Sequence, residues 1–196
     1  MAEQFLWLGL GFGLGLLASF RQVRHVHEAA ATDTLTGLYN RVFLDKTLGR
    51  LLASAKRNKH SLAILMIDLN HFKEANDRFG HPFGDQVLKA TAQAMVSSIR
   101  DSDFIFRYGG DEFLIILPGT SSVGAKRVAR KIKSKLDELS LETPKGTTFE
   151  DVGASIGIAA YPEHAEVDSV LIKAADEAVY IAKDRRDHIQ VAKNES

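Results

Sequence analysis

Residues 61–70 read SLAILMIDLN, a near-continuous apolar run of the length expected for a buried strand. Upstream, residues 40–56 carry a helical pattern, with Asn40 as the cap. Two helical stretches follow the strand, 70–79 and about 83–99, separated by Gly80-His81-Pro82. DFIFRY (103–108), Gly109-Gly110 and DEFLIIL (111–117) predict a hairpin, because two glycines between apolar strands are a strong turn signal. Pro118 and Gly119 end it. Between 122 and 139, Val128, Ile132, Leu136 and Leu139 recur on one helical face. Residues 147–160 are strand-like, with Gly153 and Gly157 marking a bulge or a close approach. A helix at 167–185 and a short strand at 188–192 close the chain. From the first strand onward the order β-α-α-β-β-α-β-α-β predicts an α+β fold, a sheet with helices packed on it, related to the split βαβ arrangement.

The N-terminus follows another pattern. FLWLGLGFGLGLLASF (5–20) holds sixteen residues without a charge. As a helix it spans ~24 Å, short of the ~30 Å hydrocarbon core, so it reads as a short membrane anchor aided by local thinning. Glu3 and the lack of Lys or Arg before the run speak against a cleaved signal peptide. Gly9, Gly11, Gly13 and Gly15 would each weaken a soluble helix by ~1 kcal/mol, whereas lipid tolerates them. Arg21 and Arg24 follow the run, which puts its C-terminal side in the cytoplasm. RQVRHVHEAAAT (21–32) reads as a helical linker whose Val23, Val26 and Ala30 suit a short parallel coiled coil. The expected division is therefore an anchor helix at 1–20, a linker at 21–32 and one domain at 33–196.

Composition narrows the chemistry. The chain has 196 residues, 45% apolar and 26% charged, within the globular range. No cysteine is present, which excludes a disulfide scaffold, a thiolate nucleophile and a Cys-ligated metal. Lys+Arg and Asp+Glu number 25 each, which argues against a nucleic-acid polymer as partner. The acids matter more for where they stand. Asp68 interrupts an apolar strand, and Asp111 and Glu112 follow a glycine turn. A charge beside a buried strand is costly unless it is paired or binds a metal. If the 61–69 strand and the hairpin lie side by side, Asp68 and Asp111 meet at one sheet end. An oxygen-only donor set suits Mg²⁺ or Mn²⁺, and carboxylates beside a glycine turn suit phosphate chemistry. On spacing alone, an ordinary charged hairpin corner explains these residues equally well.

Five ordered stretches resemble the GGDEF family, the diguanylate cyclases: DTLTGLYNR (33–41), IDLNHFKEANDRFGHPFGDQVL (67–88), RYGGDEF (107–113), ASIGIAAYP (154–162) and ADEAVYIAK (175–183). The likeness covers about 33–190. It implies a palm-like nucleotidyl-cyclase fold, with a central, mainly antiparallel sheet flanked by helices. It also implies condensation of two GTP into cyclic di-GMP and two pyrophosphates by a homodimer holding two Mg²⁺ (or Mn²⁺) per active site. By resemblance, Asp68, Asp111 and the Leu69 carbonyl hold metal, and Glu112 ligates metal or helps activate the 3′-hydroxyl. Gly109 and Gly110 lie against the phosphates. Asn76 and Asp85 read the guanine edge, whose N1–H and N2–H a carboxylate accepts. Phe72, Lys73, Lys183 and Arg186 complete the substrate site. As ordinary structure, Asn76 would be helix-end surface and Asp85 a helix cap.

Arg100 and Asp103 have the R-x-x-D offset of the family's inhibitory product site, with Arg127, Arg130 and Lys131 as candidate additions. Two features depart from the family pattern. DRRDH follows Lys183 in place of x-x-G-R-N, leaving Arg186 as candidate for the phosphate-binding arginine, and Asn70 replaces the second acid of D-x-D. The expected location is the bacterial inner membrane, with the catalytic domain in the cytoplasm. A catalytically silent protein that binds cyclic di-GMP or GTP is the alternative.

Overall fold

The computed structural model describes residues 31–193. The apolar 5–20 run, its expected anchoring role and nearly all of the 21–32 linker lie outside them. Among the described residues, no helix is long and apolar enough to cross a membrane.

Eight strands and five helices alternate along the described chain: β1 (Tyr39–Asn40), α1 (Arg41–Asn58), β2 (Leu62–Leu69), α2 (Phe72–Phe79), α3 (His81–Val96), β3 (Phe104–Arg107), β4 (Glu112–Pro118), α4 (Ser122–Asp137), β5 (Leu141–Glu142), β6 (Thr148–Phe149), β7 (Ala154–Tyr161), α5 (Asp168–Lys183) and β8 (Ile189–Val191). Six of the strands form one sheet in the order β1-β3-β4-β2-β7-β8. Its pairs are antiparallel except β1–β3 and β7–β8. The α+β, mainly antiparallel expectation is borne out.

Strand alternation divides the core in two. Ala63, Leu65, Ile67 and Leu69 of β2 join Phe113, Ile115 and Leu117 of β4 under α2, α3 and α4. Leu62, Ile64 and Met66 join Leu114 and Ile116 under α1 and α5. The sheet is thus buried on both faces, which explains why β2 reads as a continuous apolar run. Asn40 caps α1 as expected, its side chain accepting from the Phe43 N–H at 3.1 Å. Gly157 permits the close packing of β7 on α5: a Cβ there would meet the Ala175 carbonyl and stand 2.5 Å from the Val179 nitrogen.

Two local boundaries need correction, and a short strand and a loop add detail. The 147–160 strand is two strands, since β6 turns back to pair with β5 in a separate hairpin. Thr143 ties that hairpin, its N–H donating to the Thr147 carbonyl at 2.8 Å. The two-residue strand β1 carried no sequence signal of its own. Helix α3 begins at His81, because Pro82 is compatible with a helix's first turn, so Gly80 alone separates α2 from α3. Neither Gly109 nor Gly110 has a positive φ, so the hairpin loop is not the primed two-glycine turn.

Candidate active site

The register of β2 against β4 sets Asp68 opposite Glu112 at the end of the sheet. Alternation turns both toward the face that packs α5. The Asp68 side chain keeps 21% of its exposure and meets Lys183 of α5, Nζ to Oδ1, at 3.0 Å. Asp111 is tied in beside them, its carbonyl accepting from the Leu69 N–H at 3.2 Å. Burial pushes the Glu112 carboxyl up, and Asp68, Asp111 and Asp176 push it the same way, with Lys183 opposing. Like charges directly opposite on adjacent strands are destabilising. A cation relieves that crowding, so the corner fits a hard divalent ion. Mg²⁺ is held by one or two carboxylates, with water and substrate phosphate filling its other positions, and Asp68 and Asp111 meet that count. Among the described residues, no group of three or more His, Cys, Asp or Glu is gathered as a metal cluster.

A cleft of about 630 Å³ opens at this corner, lined by Asp68, Leu69, Phe72, Lys73, Asp111 and Lys183 among others. Six of the expected metal and substrate residues therefore share one cavity. Gly109, Gly110, Glu112, Asn76, Asp85 and Arg186 are not among its lining residues, and Arg186 is exposed in the turn after α5. Asn70 uses its side chain structurally: Oδ1 accepts from the fully buried Ser155 hydroxyl at 2.9 Å, and His188 Nδ1 lies 3.3 Å from that hydroxyl.

Of the glycine pair, only Gly109 is required by its surroundings. A Cβ on Gly109 would collide with the Glu112 carboxylate, whereas one on Gly110 would meet nothing within 4 Å. The loop is fixed from outside by Arg107, which donates to the Gly110 carbonyl at 2.9 Å through Nη2 and to both Asp33 carboxylate oxygens at 3.2 Å through Nη1. Asp33 also accepts from the Thr36 hydroxyl at 2.7 Å and the Thr36 N–H at 2.9 Å. Burial works to raise its pKa, but the Thr36 hydrogen bonds and the Arg107 charge outweigh it and hold Asp33 below its ordinary value.

Asn76 and Asp85 stand on consecutive helices. The Asn76 side chain lies directly over Gly84, where a Cβ would stand 2.8 Å from its Cγ. Asp85 is the fifth residue of α3 and exposed, and Gly80 occupies the cap position, which removes the capping role as an explanation.

A second cleft, of about 460 Å³, is lined by Arg100, Asp103, Arg127 and Lys131, with Gly119, Thr120 and Gly124 among its other walls. Asp103 Oδ2 accepts from the Arg100 N–H at 3.0 Å, and Lys131 donates to the Ser98 carbonyl at 3.0 Å. Arg130 is not part of the lining. Three parts of this machinery carry no signal in the sequence: the Asp33–Arg107 latch, Asp176, and the part-buried Asn70–Ser155–His188 chain. Asp33 and Arg107 both lay inside quoted motifs, but 74 positions of separation hid their pairing.

Comparison with known proteins agrees with this geometry. The model of the diguanylate cyclase GGDEF domain matches residues 30–188. Diguanylate cyclase DosC of Escherichia coli strain K12 is 42% identical over 170 residues, covering 85% of this chain and 36% of its own. The chain thus spans about a third of the length of the curated relatives it matches. The GGDEF domain of TpbB (YfiN) from Pseudomonas aeruginosa superposes with a TM-score of 0.77 at 39% identity, over 83% of this chain and 94% of that one. The coiled coil and GGDEF domain of DgcB from Caulobacter crescentus, in complex with c-di-GMP, gives a TM-score of 0.86 at 27% identity, over 95% and 99%. Five ordered motifs, the paired acids at the sheet end and these relatives together identify the chain as a member of the diguanylate cyclase GGDEF domain family.

Proposed function

We propose that the chain is a diguanylate cyclase that joins two GTP into cyclic di-GMP as a pair of identical copies. The observation that carries this reading is the Asp68–Glu112 register pair, with Asp111 and Lys183 at the same sheet end. In the reaction, the 3′-hydroxyl of each nucleotide attacks the α-phosphate of the other. Two P–O bonds form, two α–β bridging bonds break, and two pyrophosphates and two protons leave. A product of two identical nucleotides calls for two nucleotide sites, hence a second copy. Asp68 and Asp111, with the Leu69 carbonyl, would hold Mg²⁺, which when bound neutralises charge on the phosphates. Glu112, its pKa already raised, is suited to accept the 3′-hydroxyl proton. Lys183 balances phosphate charge, while Asn76 and Asp85 select guanine. Arg100 and Asp103 in the second cleft suit product binding and feedback inhibition, and cyclic di-GMP is the ligand named for DgcB. The apolar Phe5–Phe20 run supports anchoring at the bacterial inner membrane with the catalytic domain in the cytoplasm.

The exposure of Arg186 outside the cleft favours a second reading, a silent binder of cyclic di-GMP or GTP. Turnover as a function of protein concentration decides between them. The cyclase reading predicts guanine-specific turnover whose rate per chain rises with concentration and disappears in Asp111→Ala. Product binding that requires Arg100, without turnover at any concentration, would establish the silent binder.

A further inference from the structure

The β5–β6 hairpin stands in a separate two-stranded sheet and contributes no residue to the chemistry described so far. Its construction is nevertheless tight. The Thr143 and Thr147 hydroxyls are 2.8 Å apart, the Gly146 N–H donates to the Thr143 carbonyl at 2.9 Å, and Thr143 is only 4% exposed. From β6 the Phe149 ring reaches the corner between α2 and α3. It meets Phe83 edge-on, centroids 5.5 Å apart at 89°, and Phe79 at 5.9 Å and 74°. Phe79 and Phe83 themselves pack at 5.0 Å. Two cations cover the outer ring: the Arg78 guanidinium lies 4.9 Å from the Phe79 centroid, and Lys145 Nζ of the hairpin turn lies 5.9 Å from it.

These three rings span the corner that carries the base-reading pair. Phe79 is three residues after Asn76 on α2, and Phe83 is two before Asp85 on α3. Gly80 alone joins the two helices, its N–H donating to the Asn76 carbonyl at 2.7 Å. A one-residue connection between the eight-residue α2 and the longer α3 leaves their mutual angle to side-chain packing. The Asn76 side chain rests on Gly84, so any change in that angle moves Asn76 relative to Asp85.

We propose that the β5–β6 hairpin is a positioning element for nucleotide recognition. Phe149, wedged against Phe79 and Phe83, fixes the angle between α2 and α3 and thereby the spacing of Asn76 and Asp85. This inference rests on the reading that those two residues select guanine. Phe149 acts through Phe79 and Phe83, so it is a positioning residue and not a catalytic one.

The test is steady-state kinetics of the full chain with GTP and with ITP, which lacks the N2 amine, for wild type, Phe149→Ala and Phe149→Leu. Wild type should prefer GTP. Phe149→Ala should raise KM for GTP about tenfold, keep kcat within about twofold, and shrink the preference for GTP over ITP, since a misplaced recognition pair loses binding more than chemistry. Phe149→Leu keeps an apolar side chain in the packing and should show the same loss of preference to a smaller extent, which decides the question if the alanine variant does not fold. Retention of wild-type KM and preference in a folded variant would overturn the proposal, as would a loss confined to kcat. A wild type that does not distinguish GTP from ITP would overturn the guanine reading itself, a separate outcome.

Discussion

The guanidinium of Arg107 joins the Asp33 carboxylate, at 3.2 Å, to the carbonyl of Gly110, at 2.9 Å. The residue that opens the domain and the loop that carries Asp111 and Glu112 are thus held by one side chain. Removing the acid leaves a half-buried guanidinium with one partner fewer.

Asp33→Asn should therefore destabilise the domain by about 1.5–3 kcal/mol at neutral pH, the range for hydrogen bonds to charged groups. The sign of its pH dependence follows from the lowered pKa. A carboxyl whose folded pKa lies below its ordinary 3.8 contributes stability above that value and loses it as pH falls through the folded pKa. Urea unfolding of both proteins from pH 7 to pH 3 should show a gap that is constant down to about pH 4 and narrows below it. A gap unchanged across that range would contradict the latch.

Gly157→Ala tests the seat of α5. The added Cβ meets backbone atoms of Ala175 and Val179, which cannot swing aside as a side-chain tip can. Helix α5 must move outward, carrying Lys183 and Asp176 with it. We expect a loss of about 1–3 kcal/mol in stability, the usual range for overpacking, with a disproportionate loss of turnover in whatever remains folded. Thermal melts and activity at a temperature where both proteins are folded check the two effects separately.

The hydroxyl of Thr91 on α3 is buried without a hydrogen-bond partner. Thr91→Val exchanges it for a methyl group of similar size, so stability should rise by about 1 kcal/mol, since an unsatisfied buried polar group is itself a cost. A denaturant midpoint unchanged or lowered would show that this hydroxyl has an unrecognised partner.

Arg100 lines the second cleft beside Asp103, Arg127 and Lys131. If product returns to that cleft, Arg100→Ala removes a charge-assisted contact and should weaken inhibition by added cyclic di-GMP about tenfold or more, with the initial rate preserved. Equal inhibition of both proteins would place the product elsewhere.

Much of this was legible in the chain because the signals were local. The apolar run of β2 announced a strand buried on both faces, and Asp68 within it announced a charge with a task. The meeting of Asp68 and Asp111 at one sheet end was expected if those two strands paired, and the register adds that Asp68 stands opposite Glu112. What escaped was non-local or short. Strand β1 has two residues and exists by virtue of its partner β3. The β5–β6 hairpin escaped because only β6 falls within the strand-like 147–160 stretch, while β5 and the turn at Gly146 lie ahead of it. Asp33 and Arg107 each read as motif letters, and only folding makes them one contact. The glycine pair signals the hairpin turn, yet neither residue has a positive φ, and it is the nearness of Glu112 that leaves no room for a Cβ at Gly109.

The acids at the end of β2 and β4 are proposed to serve the condensation of two GTP. Chromatographic product analysis of the purified full chain with GTP and Mg²⁺, beside Asp68→Asn, tests it most directly. Wild type should release one cyclic di-GMP and two pyrophosphates for every two GTP consumed, and the variant should run at least about a hundredfold slower, as for loss of a metal-holding group at a reacting phosphate. Unchanged GTP, a linear dinucleotide as the end product, or equal turnover by Asp68→Asn would contradict that role of the acids.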